Sequence, residues 1–191
     1  MPVEFEVEDS IAARLKSFAR DMRRTPAVTL TELRIGRAAT PKALERSQVA
    51  PDLIELAQQM NGFCLAWTSR GGSRQGRPGG RIEVPTLAVQ AKGWDSLAFN
   101  ESPDADLGVC VVDVAPASDG LFACYADGDL GVWRLGDDTF TVEGFGFDEY
   151  FEAGIRNLFV PGWLEHVLSE DFESIAPEAA VTRGLLGLPQ R

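Results

Sequence analysis

The sequence predicts a single-domain α+β protein in which N-terminal helices precede an antiparallel β-meander sheet and C-terminal helices follow it. Three observations predict this class. The 191 residues are 45% apolar and 25% charged, as in one soluble globular domain. Apolar residues at helical spacing occupy both ends of the chain, and four short apolar runs lie between them. The order helices, sheet, helices is typical of the α+β class.

We divide the chain into three parts on this basis. Residues 1–26 are predicted to form an N-terminal helical extension, residues 27–170 the α+β domain, and residues 171–191 a frayed C-terminal tail. In the first part, Asp9 or Ser10 is a suitable helix cap, and Pro26 ends the helix. The apolar face of this helix consists of Ile11, Leu15, Phe18 and Met22.

Two further helix starts are marked by proline. Pro41 follows Thr40 and Pro51 follows Ala50, and the first turn of a helix tolerates proline. Asn61 and Gly62 have the left-handed chemistry that ends a helix, and the apolar run over residues 63–67 after them has the length of a strand.

The segment Arg70–Arg81, RGGSRQGRPGGR, is predicted to be a mobile surface loop because it offers no side chain to a core. Its arginines suit phosphate groups, but the loop has no aromatic residue for base stacking and the protein is acidic overall. Nucleic acid is therefore a disfavoured partner. Residues 81–89 read as an extended segment that is interrupted at Pro85.

The meander is predicted from four apolar runs with Asp- and Gly-rich connectors of hairpin length, so that consecutive strands pair antiparallel. The runs are Val109–Val114, Leu121–Tyr125, Gly131–Leu135 and Thr139–Phe145. Helical spacing returns over residues 147–155, and again after Pro161 with Trp163, His166 and Val167.

The net charge is −11, and it is distributed unevenly. Residues 1–81 hold 13 basic and 9 acidic side chains, a net of +4, whereas residues 82–191 hold 5 basic and 20 acidic ones, a net of −15. An acidic surface repels nucleic acid and anionic lipid and accelerates encounter with basic proteins. The plainer interpretation of the same charge is solubility.

The composition argues against an enzyme, a metal site and a cofactor. His166 is the only histidine, and no nucleophile or orienting partner stands at a suitable spacing from it. The three cysteines are predicted to be buried thiols, and most of the paired acids 127/129, 137/138 and 148/149 to be turn residues. The acidic N-terminus and the lack of a long apolar run predict a cytoplasmic protein without a membrane partner.

Two stretches resemble the SUKH superfamily, which comprises yeast cell-wall-regulator-like proteins and bacterial relatives. TPKALERSQVAPDLIELAQQMNGFCLAW is similar to the family's opening, a helix that runs into Asn-Gly and then a strand. LFACYADGDLGVWRLGDDTFTVEGFGFDEYFEAGI is similar to its meander and the aromatic-led helix after it. The resemblance covers residues 40–156, and the arginine-rich loop and both ends of the chain depart from it.

The resemblance implies a cytoplasmic immunity protein that binds and neutralises a toxin, commonly a nuclease or a nucleic-acid deaminase. Such a toxin needs a basic cleft, and an acidic surface fits it. The alternative is a regulatory or scaffolding interaction module. Candidate partner-binding residues are the acids at the meander turns, with Trp133 as an anchor if it faces outward. The acids are Asp119, Asp127, Asp129, Asp137 and Asp138.

Overall fold

A computed structural model describes residues 10–47, 49–70, 78–90, 110–113, 121–126, 129–134, 139–142 and 145–189. Within these ranges helices and antiparallel sheets share one core, which confirms the α+β class. No helix in the described ranges is long and apolar enough to cross a membrane. The elements are α1 (Ile11–Arg24), β1 (Val28–Ile35), α2 (Pro41–Glu45), α3 (Pro51–Gln59), β2 (Phe63–Ser69), β3 (Gly79–Val84), α4 (Leu87–Gln90), β4 (Cys110–Val111), β5 (Leu121–Ala126), β6 (Asp129–Arg134), β7 (Thr139–Val142), α5 (Phe147–Arg156), α6 (Trp163–Ser169) and α7 (Pro177–Leu186).

The predicted meander is confirmed. Strands β4, β5, β6 and β7 are neighbours in that order, and each pair is antiparallel. The helix starts are confirmed as well: Ser10 caps α1 through its hydroxyl, which accepts a hydrogen bond from the Ala13 N–H at 3.3 Å, and Thr40 caps α2 in the same way. Gly62, after α3, has a φ of 79°, which is the left-handed conformation expected of it.

A second sheet of three antiparallel strands, in the order β1-β2-β3, was not predicted. β1 was not predicted because the alternation of apolar and polar residues along it is interrupted at Thr31. The register with β2 shifts at this residue. This bulge places two polar residues, Thr31 and Glu32, side by side, so the pattern of alternate apolar residues does not run through the strand.

The predicted loop over residues 70–81 is wrong at its C-terminal end, because Gly79, Gly80 and Arg81 belong to β3. Gly80 is buried, and a Cβ atom at this position would lie 2.1 Å from the carbonyl oxygen of Leu158. The glycine is therefore needed for close packing. Residues 71–77 lie outside the described ranges. The next segment is extended only to Val84, since α4 follows it.

Both ends of the described chain belong to the core. Leu15 and Met22 of α1 are buried, and so are Ala179 and Leu186 of α7. Both terminal helices therefore pack on the same core as the elements between them. The helix over residues 177–186 escaped prediction because its small residues give a weak apolar face, and its burial depends on the core that it meets.

A left-handed turn after α5 docks onto the three-stranded sheet. Leu158 and Phe159 are both buried and have positive φ values of 56° and 51°. The Leu158 carbonyl accepts a hydrogen bond from the indole N–H of Trp67 at 2.9 Å, and the Phe159 carbonyl accepts one from the Arg81 N–H at 3.1 Å. These bonds hold a conformation that side-chain-bearing residues rarely adopt.

Asp113, which is 2% exposed, joins the two sheets and α5. One carboxylate oxygen accepts a hydrogen bond from the Glu83 N–H at 3.0 Å, and the other accepts one from the Tyr150 hydroxyl at 2.9 Å. Burial, together with the Asp113 carboxylate, raises the pKa of Tyr150 well above its ordinary value. The phenol therefore stays protonated as the donor of this bond.

Candidate functional site

The structure describes two of the six residues predicted to bind a partner. Asp129 is exposed at the start of β6, opposite Ala126 of β5. Trp133 is 3% exposed, and lies between Phe122 and Phe140 in the sheet. Because its side chain is buried, Trp133 cannot act as an exposed anchor. Asp119, Asp127, Asp137 and Asp138 lie outside the described residues.

A cavity of about 300 Å³ lies between the N-terminal turns of α1 and α5 and one side of α3, from Asp52 to Gln59. Three carboxylates and one guanidinium line it, so its formal charge is negative. We name it the acidic cleft. Its polar lining consists of Ser10, Arg14, Asp52, Glu55, Gln59 and Asp148.

Local sequence explains why the acids stand where they do. Asp52 lies in the first turn of α3 and Asp148 in the first turn of α5, and a carboxylate is stabilised at that end of a helix by the unpaired N–H groups. Glu149 completes the start of α5, since its carboxylate accepts a hydrogen bond from the Gly146 N–H at 2.8 Å. Asp148 and Glu149 thus belong to the start of the helix that the spacing over residues 147–155 predicts.

Arg14 is the cation of the cleft, and it is already paired. Its guanidinium contacts the carboxylates of Asp148 and of Glu152, the latter at 2.6 Å, and lies 5.7 Å from the centre of the Phe151 ring. The side chain is 23% exposed, against 68% for Asp148. The positive charge is therefore held at the wall of the cleft, while the carboxylate of Asp148 faces solvent.

The cleft is connected to the meander by one hydrogen bond. The Tyr125 hydroxyl donates to Asp52 at 2.6 Å. Tyr125 pairs with Leu130 in the ladder, and the next pair toward the hairpin turn is Ala126 with Asp129. The exposed carboxylate of Asp129 therefore stands at the end of the sheet that is joined to the cleft.

A second charged feature, which we name the ion-pair ring, covers the outer face of the three-stranded sheet. Arg34 contacts Glu32 at 2.7 Å and Glu83 at 3.0 Å, and Arg81 contacts the same two carboxylates at 2.8 and 2.5 Å. These hydrogen bonds, first from Arg81 and then from Arg34, lower the pKa of Glu32. All four charges are matched within the ring, so it adds nothing to the negative charge of the protein.

The histidine and the described cysteines do not line the acidic cleft. His166 is half-buried on α6, and its ring makes no hydrogen bond to a described residue. The thiols of Cys64 and Cys124 are buried, and burial raises the pKa of Cys64 to about 11. No group of three metal-binding side chains lies close together among the described residues.

Neither a scan against protein-family models nor searches of curated proteins and of solved structures return a match to this chain. The acidic cleft is the feature of the described residues that points to a function.

Sequence reasoning missed Arg14, Asp52 and Glu55 as site residues. Each lies on the polar side of a correctly predicted helix, where a charged residue is ordinary. A signal existed in the acids at the first turns of α3 and α5, but their convergence depends on tertiary packing.

Proposed function

We propose that this protein is a non-enzymatic, cytoplasmic immunity protein of the SUKH type, which binds and neutralises a cognate bacterial toxin. The partner is a basic nuclease or another effector that modifies nucleic acid. The acidic cleft, with the exposed Asp129 at the end of the meander that is joined to it, forms the contact surface. Asp119, Asp127, Asp137 and Asp138, which lie outside the described residues, remain predicted contacts. The function needs no cofactor, metal, membrane or nucleic acid.

The observation that carries the proposal is the composition of the cleft. Asp52, Glu55 and Asp148 line it against a single cation, Arg14, whose guanidinium is occupied by Asp148 and Glu152. An arginine or lysine side chain from a basic partner meets the carboxylates of Asp52 and Glu55 there, which form no ion pair with a described residue. Charge-assisted hydrogen bonds from a guanidinium to carboxylates are among the strongest that a protein surface can make.

Electrostatics also explain why such a surface suits inhibition of a nucleic-acid enzyme. A toxin that acts on nucleic acid needs a basic cleft to hold the phosphates. An acidic protein competes for the same charges and is steered to them, with association that weakens as salt rises. Surplus carboxylates on the inhibitor thus increase both its affinity for the toxin and the rate at which the two proteins associate.

The test begins with the partner. The tagged protein is used to capture binding proteins from a lysate of its source cells at low and at moderate salt, and each captured protein is expressed alone and together with this chain. We expect one basic protein that arrests growth alone and is harmless in co-expression. Several weak partners without toxicity would instead identify a regulatory or scaffolding module.

The second step tests the cleft itself. A triple variant, Asp52→Asn, Glu55→Gln and Asp148→Asn, is compared with a control triple variant, Asp21→Asn, Glu165→Gln and Glu178→Gln, whose exposed acids do not line the cleft. Both variants change the net charge by the same amount. We expect the cleft variant to reduce the association rate at low salt at least about tenfold and the control less than about twofold. Equal effects would refute the role of the cleft.

A further inference from the structure

The two edge strands of the three-stranded sheet, β1 and β3, differ in how their outward backbone groups are hydrogen-bonded. In the ladder between β1 and β2, the Gly36 N–H donates to the Gly62 carbonyl at 2.9 Å. Hydrogen-bonded and non-hydrogen-bonded pairs alternate in an antiparallel ladder. Given the register Ile35 with Phe63, Arg34 with Cys64 and Leu33 with Leu65, the backbone groups of Leu33 and Ile35 point away from β2.

The opposite edge, β3, is partly closed. Gly79, Arg81 and Glu83 have their backbone groups on this edge. The Arg81 N–H donates to the Phe159 carbonyl, and the Glu83 N–H donates to the Asp113 carboxylate. No described residue provides an equivalent bond to the outward groups of Leu33 and Ile35 on β1. The β3 edge is therefore capped at two of its outward N–H groups, whereas the β1 edge offers a row of unpaired backbone donors and acceptors.

We propose that the edge of β1 is a self-association surface that pairs antiparallel with β1 of a second copy of this chain. A two-fold axis at Leu33 sets Leu33 opposite its own copy as a hydrogen-bonded pair. The same axis sets Glu32 opposite Arg34 of the other copy, and Arg34 opposite its Glu32.

In this register each charged residue of one copy lies opposite a residue of opposite charge in the other. A second copy of the chain is therefore the partner that fits the β1 edge. Glu32 and Arg34 lie on the outer face of the sheet, and Arg34 is 64% exposed. Across the joined sheets the outer face would carry alternating charges, extending the ion-pair ring on each side. Opposite charges directly across a strand pair are favourable, and like charges are unfavourable.

The surroundings of the edge also allow association of an acidic protein with itself. β1 lies in residues 1–81, whose net charge is +4, and not in the strongly acidic part of the chain. The core-facing side chains Leu30, Leu33 and Ile35 are half-buried at this edge and would lose further exposure on pairing. None of these residues lines the acidic cleft, so the inference stands apart from the proposed function.

The first experiment measures mass by analytical ultracentrifugation of the full chain from about 5 µM to about 1 mM, because the pairing of one short strand edge forms a small interface and small interfaces associate weakly. We expect the weight-average mass to rise from 20.7 kDa toward twice that value. A mass that stays at 20.7 kDa at the highest concentration overturns the proposal.

Charge exchange then tests the register. In a dimer of the Glu32→Arg variant, the new arginine of one copy lies opposite Arg34 of the other. In a dimer of the Arg34→Glu variant, the new glutamate lies opposite Glu32 of the other copy. Each variant should therefore associate with itself about tenfold more weakly. An equimolar mixture of the two restores both opposite-charge pairs and should recover the wild-type affinity within about threefold. The matched controls Asp21→Arg and Arg20→Glu alter an exposed pair on α1 and should leave association unchanged.

Hydrogen exchange gives an independent readout. The amides of Leu33 and Ile35 should exchange more slowly as concentration rises, whereas the amide of Arg34, which already faces β2, should not change. Association that is insensitive to the charge exchange, or that leaves these two amides unprotected, overturns the proposal. Both single variants are checked by circular dichroism, and recovery in the mixture itself shows that they are folded.

Discussion

Replacing Gly80 by alanine tests whether the left-handed turn at residues 158 and 159 is held by its contact with β3. An alanine Cβ at this position would lie 2.1 Å from the Leu158 carbonyl oxygen and 2.5 Å from the indole nitrogen of Trp67. A normal carbon–oxygen contact needs more than 1 Å of additional separation. The turn must therefore move, and the bond between Trp67 and Leu158 must break.

The cost follows from the groups that lose their partners. The buried Trp67 N–H left unsatisfied costs about 1–3 kcal/mol, and the bond between the Arg81 N–H and the Phe159 carbonyl contributes about 1 kcal/mol. Overpacking adds about 1–3 kcal/mol. We expect Gly80→Ala to lower the free energy of unfolding by about 4 kcal/mol. This is a large part of the roughly 5–15 kcal/mol by which a domain is typically stable.

Thermal and urea unfolding followed by circular dichroism measure this effect, and the melting temperature should fall by about 8–16 °C. The control is Gly146→Ala, whose Cβ would meet only Asp52 at 3.8 Å and should cost at most about 1 kcal/mol. In a Trp67→Phe background, where the indole N–H is absent, Gly80→Ala should cost less. A loss no greater than that of Gly146→Ala would refute the reasoning.

Two further predictions concern buried groups. Because burial raises the pKa of Cys64 from an ordinary 9.0 to about 11, its native alkylation at pH 8 should be at least about tenfold slower than in the unfolded chain; equal rates by mass spectrometry would contradict this. The same raised pKa predicts that the stability from the protonated thiol is complete below pH 9 and is lost toward pH 11. Asp113→Ala leaves the Glu83 N–H and the Tyr150 hydroxyl without their acceptor and should lower the free energy of unfolding in urea by about 2–4 kcal/mol. The loss should be smaller in a Tyr150→Phe background. Additive losses in the double variant would exclude an interaction between Asp113 and Tyr150.

Local sequence was sufficient for the features that depend on local chemistry. The cap at Ser10, the helix start at Pro51 and the four meander strands follow from capping, proline and turn residues that act within a few positions. Each of these elements is close to its predicted place because no distant contact is needed to define it.

The remaining features depend on contacts that the pattern does not contain. β1 was hidden by the bulge at Thr31, and Gly79 and Gly80 look like loop residues until the turn at Leu158 packs against them. The candidate site was only partly predictable for the same reason. Asp52 and Asp148 are 96 positions apart in numbering, and only the packing of α3 near α5 brings them to one cleft.

The closure of the β3 edge bears on how far any assembly of this protein can grow. A sheet with two open edges can add copies at both sides without limit, and that is how fibres begin. Here the Phe159 carbonyl and the Asp113 carboxylate occupy one side, so that addition at β1 uses up the free edge of each copy. Growth through this sheet would then stop at two chains. With the proposed pairing at β1, the turn at residues 158 and 159 and the buried Asp113 act as a terminator of the three-stranded sheet.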